Sequence, residues 1–417
     1  MTAALQVNSD TEESVVSELR RYVRDNFSLS ELSDDELFDS VSRLVIEKTG
    51  GTGMSIDEQV GITESVYSSI RGFGVLDMIM KDDSVTEVMI NGYDSIWIEK
   101  NGMLKKLDNR FESEAHLEDT IQRIVAMAGR EVNQASPIVD TRLPDGSRVN
   151  VVLPPVSVDG PVVTIRKFSV SRMTMDELVR IGSVTEEAAE MLRAFVRAGY
   201  NIFISGGTGS GKTTFLNALS DFIPENERVI TIEDSAELQI AGVNNLVRLE
   251  TRNANTSGSG AVSMRELIKS SLRMRPERII VGEVRGAEAL DMLTAMNTGH
   301  DGSLSTGHAN SAEDMMSRLE TMVLSGSELP LAAVRSQIAS AIDIVVHLSR
   351  MRDHSRKVTE ISEITGVENG EIVMNPLYVF EESEESTVEK LCGGLRRTEN
   401  RLVSDTKLTR SGIYMEV

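Results

Sequence analysis

The sequence predicts an α/β protein whose larger part is a parallel sheet covered by helices. Two observations carry this. From about residue 198 onward, apolar runs of strand length alternate with helical spacing, in the order strand, glycine loop, helix, strand, helix, strand. Such alternation builds βα units and therefore parallel strands. Within it, NIFISGGTGSGKTTFLNAL (201–219) sets a glycine loop between an apolar strand and a helical pattern.

The rest of the chain reads as three further regions. Residues 1–75 are an acidic helical segment. Val15, Val16, Leu19, Val23 and Phe27 share one helical face, and Ser33 followed by Glu36 forms a capping-box pattern ahead of Leu37, Val41, Leu44 and Val45. KTGGTGMS (48–55) copies a glycine loop but lacks the Gly-Lys-Thr ending, so it reads as a linker. Residues 76–168 form a small α+β domain. VTEVMIN and SIWIEK are strands with Asn91-Gly92 and Asn101-Gly102 as turn signals, and Leu117, Ile121, Ile124 and Val125 mark a helix. RLPDGSRVNVVLPPV and VVTIRKF add strands around a Pro-Asp-Gly turn. The α/β region spans 169–380. The end, 381–417, opens acidic, has weak periodicity and is expected to be partly mobile.

Composition narrows the function. A net charge of −22 argues against a general nucleic-acid binder, since affinity for phosphate backbones comes mainly from Lys and Arg. The single cysteine, Cys392, excludes an intrachain disulfide and suits a reducing compartment. No apolar run reaches the roughly 18 residues of a membrane-spanning helix. The opening MTAALQVNSDTEE lacks the basic start and apolar run of a signal peptide. The expectation is a cytoplasmic protein.

The glycine loop carries the chemistry. Gly206, Gly211, Lys212 and Thr213 fit G-x-x-x-x-G-K-[ST], in the strand–loop–helix context that gives the pattern meaning. Glycines let backbone N–H groups curl round phosphate oxygens, and the helix N-terminus adds favourable partial charge. The expected nucleotide-contacting residues are Gly206, Gly207, Thr208, Gly209, Ser210, Gly211, Lys212, Thr213 and Thr214. Lys212 is assigned to the β- and γ-phosphates and Thr213 to Mg²⁺.

Three later stretches end where ligands gather in a parallel sheet, at the carboxyl ends of strands. RVITIEDSAEL (228–238) ends in Glu233-Asp234, IIVGEVRG (279–286) in Gly282-Glu283, and TGHDGSLSTGHANS (298–311) holds His300 and His308 about a strand. The carboxylates are candidates to align an attacking water and to hold Mg²⁺ through its water shell. His308 is a candidate donor to a γ-phosphate oxygen, and hydrolysis would remove its acceptor, which makes the hydrogen bond a switch. Plainer roles stand beside these: an ion pair between Glu283 and Arg285, and helix capping by Glu233 or Asp234.

GGTGSGKT, ITIEDSAEL, RPERIIVGEVRG and TGHDGSLSTGHANS resemble, in order, the Walker A, Asp box, Walker B and His box of the type II/IV secretion ATPases. SPIVDTRLPDGSRVNVVLPPV, TIRKF and AMNTGHDGSLSTGHANS are similar to the CpaF-type branch of tight-adherence (Flp) pilus systems. The resemblance covers roughly residues 76–380. It implies a PAS-like N-terminal domain hinged to a RecA-like domain, a homo-hexameric ring, and ATP with Mg²⁺ between the two domains near a neighbouring subunit. It implies work on an inner-membrane platform protein, hence peripheral association with the inner face of the cytoplasmic membrane. It makes Glu283 the Walker B acid, with Glu233 sharing the polarising of water and the general base left open between them. It also implies that Arg142, Arg148 and Arg166 reach the phosphates, and Arg273 and Arg275 stand as weaker candidates. Against the motor stand two rivals, a RecA-like nucleic-acid motor and a non-hydrolysing ATP-sensing module. The charge and the 4% aromatic content oppose the first, and the paired acids and histidines oppose the second.

Overall fold

The computed structural model describes residues 9–27, 32–49, 54–100, 102–168, 172–252 and 260–415. The chain divides into two compact units, 1–170 and 171–417.

The first unit opens with three helices, α1 (Ser9–Asn26), α2 (Asp34–Thr49) and α3 (Ile56–Arg71). Leu19, Val23, Leu37, Val41, Val45, Ile62 and Val66 close into their own core, with Val15, Val16 and Phe27 packed at its edge. Ser33 and Glu36 form the expected reciprocal cap of α2, with the Ser33 N–H donating to Glu36 Oε2 at 2.9 Å. Residues 50–53 of the linker stretch lie outside the described residues.

After α4 (Val75–Lys81) come β1 (Val85–Asn91), β2 (Ile96–Lys100), β3 (Met103–Lys106), α5 (Glu114–Met127), β4 (Ile138–Arg142), β5 (Arg148–Val152) and β6 (Val162–Arg166). The six strands form one antiparallel sheet in the order β3-β2-β1-β6-β5-β4. Strand residues alternate across a pleat. Val88, Ile90, Val149, Val151, Val163 and Ile165 therefore share the face that buries against Leu117, Ile121, Ile124 and Val125 of α5. The opposite face holds a row of arginines, because Arg142 pairs in register with Arg148 and Arg148 with Arg166.

The second unit contains α6 (Met175–Arg180), α7 (Glu186–Ala198), β7 (Ile202–Gly206), α8 (Lys212–Ser220), β8 (Arg228–Glu233), β9 (Asn245–Glu250), α9 (Met264–Ser271), β10 (Arg278–Val281), α10 (Glu288–Asn297), β11 (Leu304–His308), α11 (Ala312–Ser325), α12 (Leu331–Ala341), β12 (Ile344–Arg350), β13 (Arg356–Glu368), β14 (Glu371–Glu382), β15 (Gly393–Arg397) and α13 (Thr406–Arg410). Its nine-stranded sheet runs β15-β14-β13-β12-β7-β11-β10-β8-β9. The six strands from β12 to β9 are parallel, and β13, β14 and β15 extend the sheet antiparallel. The sheet is thus mixed rather than wholly parallel.

Both faces of the parallel part are covered, as such sheets require. Ile202 and Ile204 face Phe195 of α7 and Phe215 and Leu219 of α8. Phe203, between them in sequence, joins the other core with Ile268, Met292, Met315, Leu319 and Ile338 from α9 to α12. The stretch 381–417, weakly periodic in sequence, holds β15 and α13. β15 is ordered by backbone pairing to β14, which a periodicity count cannot see, and Leu408 of α13 is buried. Among the described residues no helix is long and apolar enough to cross a membrane.

Candidate functional site

The second unit places the glycine loop at the centre of its sheet. β7 is buried throughout, and the chain turns sharply at its end into α8. Gly209 and Gly211 take φ of 71° and 94°, a region that costs an L side chain strain and glycine little. Gly206 is required for space instead, since a Cβ there would stand 2.4 Å from the Leu348 carbonyl oxygen.

Lys212, the first residue of α8, is 7% exposed. Its Nζ donates to the carbonyls of Gly206 at 3.0 Å and Gly207 at 2.9 Å, and lies 3.2 Å from His308 Nδ1. Thr213 and Thr214 are half-buried in the first turn of the same helix. Gly207, Thr208 and Gly209 are exposed, and Ser210 is buried.

The sheet register brings the three acidic and histidine stretches to this loop. β11 pairs with β7 so that His308 sits opposite Gly206. β10 lies next, then β8, with Val281 opposite Ile232 and the Gly282 N–H donating to the Ile232 carbonyl at 2.9 Å. Glu233, Glu283 and His308 therefore stand at one edge beside Lys212.

Glu283 stands between a guanidinium and an imidazole. Its Oε2 lies 2.8 Å from Arg285 Nη2, and its Oε1 lies 2.8 Å from His308 Nε2. The Glu283–Arg285 ion pair that the sequence suggested is present, with the histidine ring beside it. Burial holds the His308 imidazole below its usual pKa, with the positive charges of Lys212, Arg285 and Arg318 adding to that and Glu283 opposing it. Asp234 does not cap a helix: it accepts from Thr251 Oγ1 at 3.2 Å and lies 3.6 Å from Arg285 Nη1.

Glu233 is in a different electrostatic state. It is 4% exposed. Its Oε1 accepts from the N–H groups of Glu237 and Leu238, both at 2.8 Å, so it caps the turn that follows β8. Its Oε2 is buried with no hydrogen-bond partner among the described residues. Burial raises its pKa to about 7, against the lowering effect of the two N–H donors and of Arg248.

The geometry also explains the glycine that stands where an acid is usually found in such strands. An ideal Cβ on Gly282 would lie 2.8 Å from Glu233 Cγ and 3.4 Å from Glu233 Oε1. Any side chain at position 282 would compete with the Glu233 side chain for the same volume. The neighbouring strand fills, with its own carboxylate, the place that the glycine leaves.

Three candidates within this unit, His300, Arg273 and Arg275, are not brought to this cluster. His300 precedes β11, at the end of the strand away from His308, and its Nδ1 lies 3.2 Å from the Ala295 carbonyl of α10. The spacing that put both histidines beside one strand put them at its two ends. Arg273 and Arg275 likewise precede the amino end of β10, whereas Glu283 follows its carboxyl end. Arg142, Arg148 and Arg166 belong to the other unit, where the sheet register gathers them.

Two further residues beside the loop are not named by the sequence motifs. His347 of β12 is buried under the loop, with Nδ1 2.9 Å from Ser205 Oγ, and ties β12 to the end of β7. Arg318 of α11 lines a cavity of about 410 Å³ together with Gly207, Thr208, His308 and Asn310. Its place ten residues after His308, on the helix leading from β11, was the signal available.

Oxygen donors suit a hard cation such as Mg²⁺. Thr213 in the first turn of α8 and the carboxylate of Glu283 supply oxygens near the loop.

Known proteins resemble this chain along most of its length. The family model described as type II/IV secretion system protein matches residues 71–395. A putative conjugal transfer protein of Mycobacterium tuberculosis is 36% identical over 309 residues, 73% of this chain and 87% of that protein. The type IV secretion system protein PtlH of Bordetella pertussis is 35% identical over 308 residues, 66% of this chain and 89% of its own length. Among solved structures, the ATPase DotB of Yersinia pseudotuberculosis shares the fold, with a TM-score of 0.50 and 19% identity over 69% of this chain and 77% of DotB. The chain belongs to the type II/IV secretion system protein family.

Proposed function

We propose that this member of the type II/IV secretion system family hydrolyses ATP and converts the reaction into mechanical work. The observation that carries the reading is the gathering of Lys212, Glu233, Glu283 and His308 at the carboxyl edge of one sheet, around a glycine loop at a helix N-terminus. In this reading the loop N–H groups and Lys212 hold the β- and γ-phosphates. Thr213, and Glu283 through water, would hold Mg²⁺, which when bound would supply charge neutralisation on the phosphate oxygens.

Glu233 and Glu283 divide the remaining work. Glu283 is fixed between Arg285 and His308 and orients the imidazole toward the terminal phosphate. Glu233 has a free oxygen in a buried setting and a pKa of about 7, suited to taking a proton from water near neutral pH. The row Arg142–Arg148–Arg166 gathers three guanidinium groups on one sheet face. We assign it to the phosphates on closure of a PAS-like domain over a RecA-like one, which couples hydrolysis to movement.

The motor works as a homo-hexamer on an inner-membrane platform protein. The motifs shared with the CpaF-type branch favour assembly of Flp-type pili. A second reading, a motor of DNA transfer, is suggested by the conjugal transfer proteins among the relatives. The net charge of −22 opposes direct contact with DNA. Steady-state ATP hydrolysis across protein concentration, with Lys212→Ala as the blank, tests the proposal. Specific activity is expected to rise with concentration as neighbours assemble. Turnover no higher than the blank, with and without membranes carrying the platform protein, would refute a hydrolysing motor, and stimulation by DNA would favour the second reading.

A further inference from the structure

β7 lies between β11 and β12, and Gly206 is paired on both sides: with His308 of β11 and with Leu348 of β12. The groups assigned to the terminal phosphate, His308, Glu283 and Glu233, all lie on the β11 side. On the β12 side the strand continues past Leu348 to Arg350, and the turn after it returns through Arg356, which pairs in register with Arg350.

Both arginines reach the glycine loop. Arg356 Nε donates to the Gly209 carbonyl at 2.9 Å. Arg356 Cδ is 3.4 Å from the place a Cβ on Gly211 would take, and Arg350 Nη1 is 3.9 Å from the place of one on Gly209. Both side chains are exposed. The Nη groups of Arg356 make no further hydrogen bond or ion pair among the described residues. Asp353 of the hairpin turn accepts from Ser355 and from the Leu391 N–H, and Glu382 of β14 pairs with Arg352.

A polyphosphate whose terminal group lies at the Lys212–His308 side leaves the loop on the β12 side, nucleoside end last. A guanidinium donates to phosphate oxygens and also stacks its plane on an aromatic base, which an ammonium does not.

We propose that the β12–β13 hairpin is the nucleoside clamp of this site, with Arg350 and Arg356 contacting the base of a nucleoside polyphosphate. The inference rests on the nucleotide reading above and adds to it the residues that distinguish a nucleotide from bare polyphosphate. The test is calorimetric titration of the full chain with MgATP and, separately, with inorganic tripolyphosphate. The proteins are the wild type, Lys212→Ala and the double variant Arg350→Ala, Arg356→Ala.

The double variant is expected to lose roughly tenfold in affinity for ATP while its affinity for tripolyphosphate changes by less than about twofold. Equal losses for both ligands would overturn the clamp and make the arginines braces of the loop. So would no loss for ATP. If the wild type binds neither ligand better than Lys212→Ala does, the nucleotide reading falls and the clamp with it. Should the alanine pair fail to fold, Arg350→Gln with Arg356→Gln keeps the aliphatic stems in place and carries the same expectations.

Discussion

Gly282→Ala is the smallest change that addresses how the acids are arranged. The added methyl would stand 2.8 Å from Glu233 Cγ and 3.5 Å from its Cδ. Carbon atoms in van der Waals contact sit at about 3.5–4.0 Å, so the first distance is short by roughly 0.7–1.2 Å. Glu233 cannot yield cheaply. Its Oε1 is anchored by two backbone N–H groups at 2.8 Å, and the residue is packed in a nearly closed space. Overpacking of this kind costs about 1–3 kcal/mol in stability. The effect on rate is expected to be larger, because a catalytic group displaced by about 1 Å loses on the order of 100-fold. The assay is kcat for MgATP, with thermal melts to confirm folding, on Gly282→Ala, Glu233→Ala and the double variant. If the methyl acts by pushing Glu233 aside, it costs almost nothing further once the Glu233 side chain is gone, since residues in contact are not additive. Wild-type turnover in Gly282→Ala would refute the reasoning. An equal loss in the Glu233→Ala background would refute it too.

Glu283→Gln keeps the shape of the side chain but removes the charge that pairs with Arg285 and His308. It should still bind ATP and hydrolyse it slowly, and loss of ATP binding in a filter or calorimetric assay would mean a structural role instead. Glu233 supplies a pH signature. Its folded pKa of about 7 lies above the ordinary 4.5, so its contribution to stability is present below about 4.5 and lost as pH rises through 7. The shift corresponds to roughly 3 kcal/mol. Denaturant melts without nucleotide should therefore show wild type losing stability relative to Glu233→Gln between about pH 5 and pH 8, and parallel curves would show that the carboxyl is not held in this state.

The helices and strands nearest the site were legible because they are local. Leu117, Ile121, Ile124 and Val125 declare their helix by spacing alone, and Ser33 with Glu36 declares a helix start through one reciprocal pair of hydrogen bonds. The G-x-x-x-x-G-K-[ST] loop announced its own turn, since Gly209 and Gly211 hold backbone angles that few other residues accept. β9 and β15 carry no comparable signal because each is an edge strand, ordered by pairing with a neighbour rather than by its own pattern.

The same division runs through the site. Residue identities and their order along the chain sufficed to name Lys212, Glu233, Glu283 and His308 as a group, because in a parallel sheet the carboxyl ends of strands come together whatever the loops between them. Strand order and register had to be built before the rest could be known. They separate His300 from His308 along one strand, align Arg142, Arg148 and Arg166, and bring Arg350 and Arg356 to Gly209 from more than a hundred residues away. They also set Gly282 against Glu233, across two strands whose sequences are some fifty residues apart. A local pattern records which face a residue takes on its own strand. Which other strand lies beside it depends on how the whole sheet closes around its two cores.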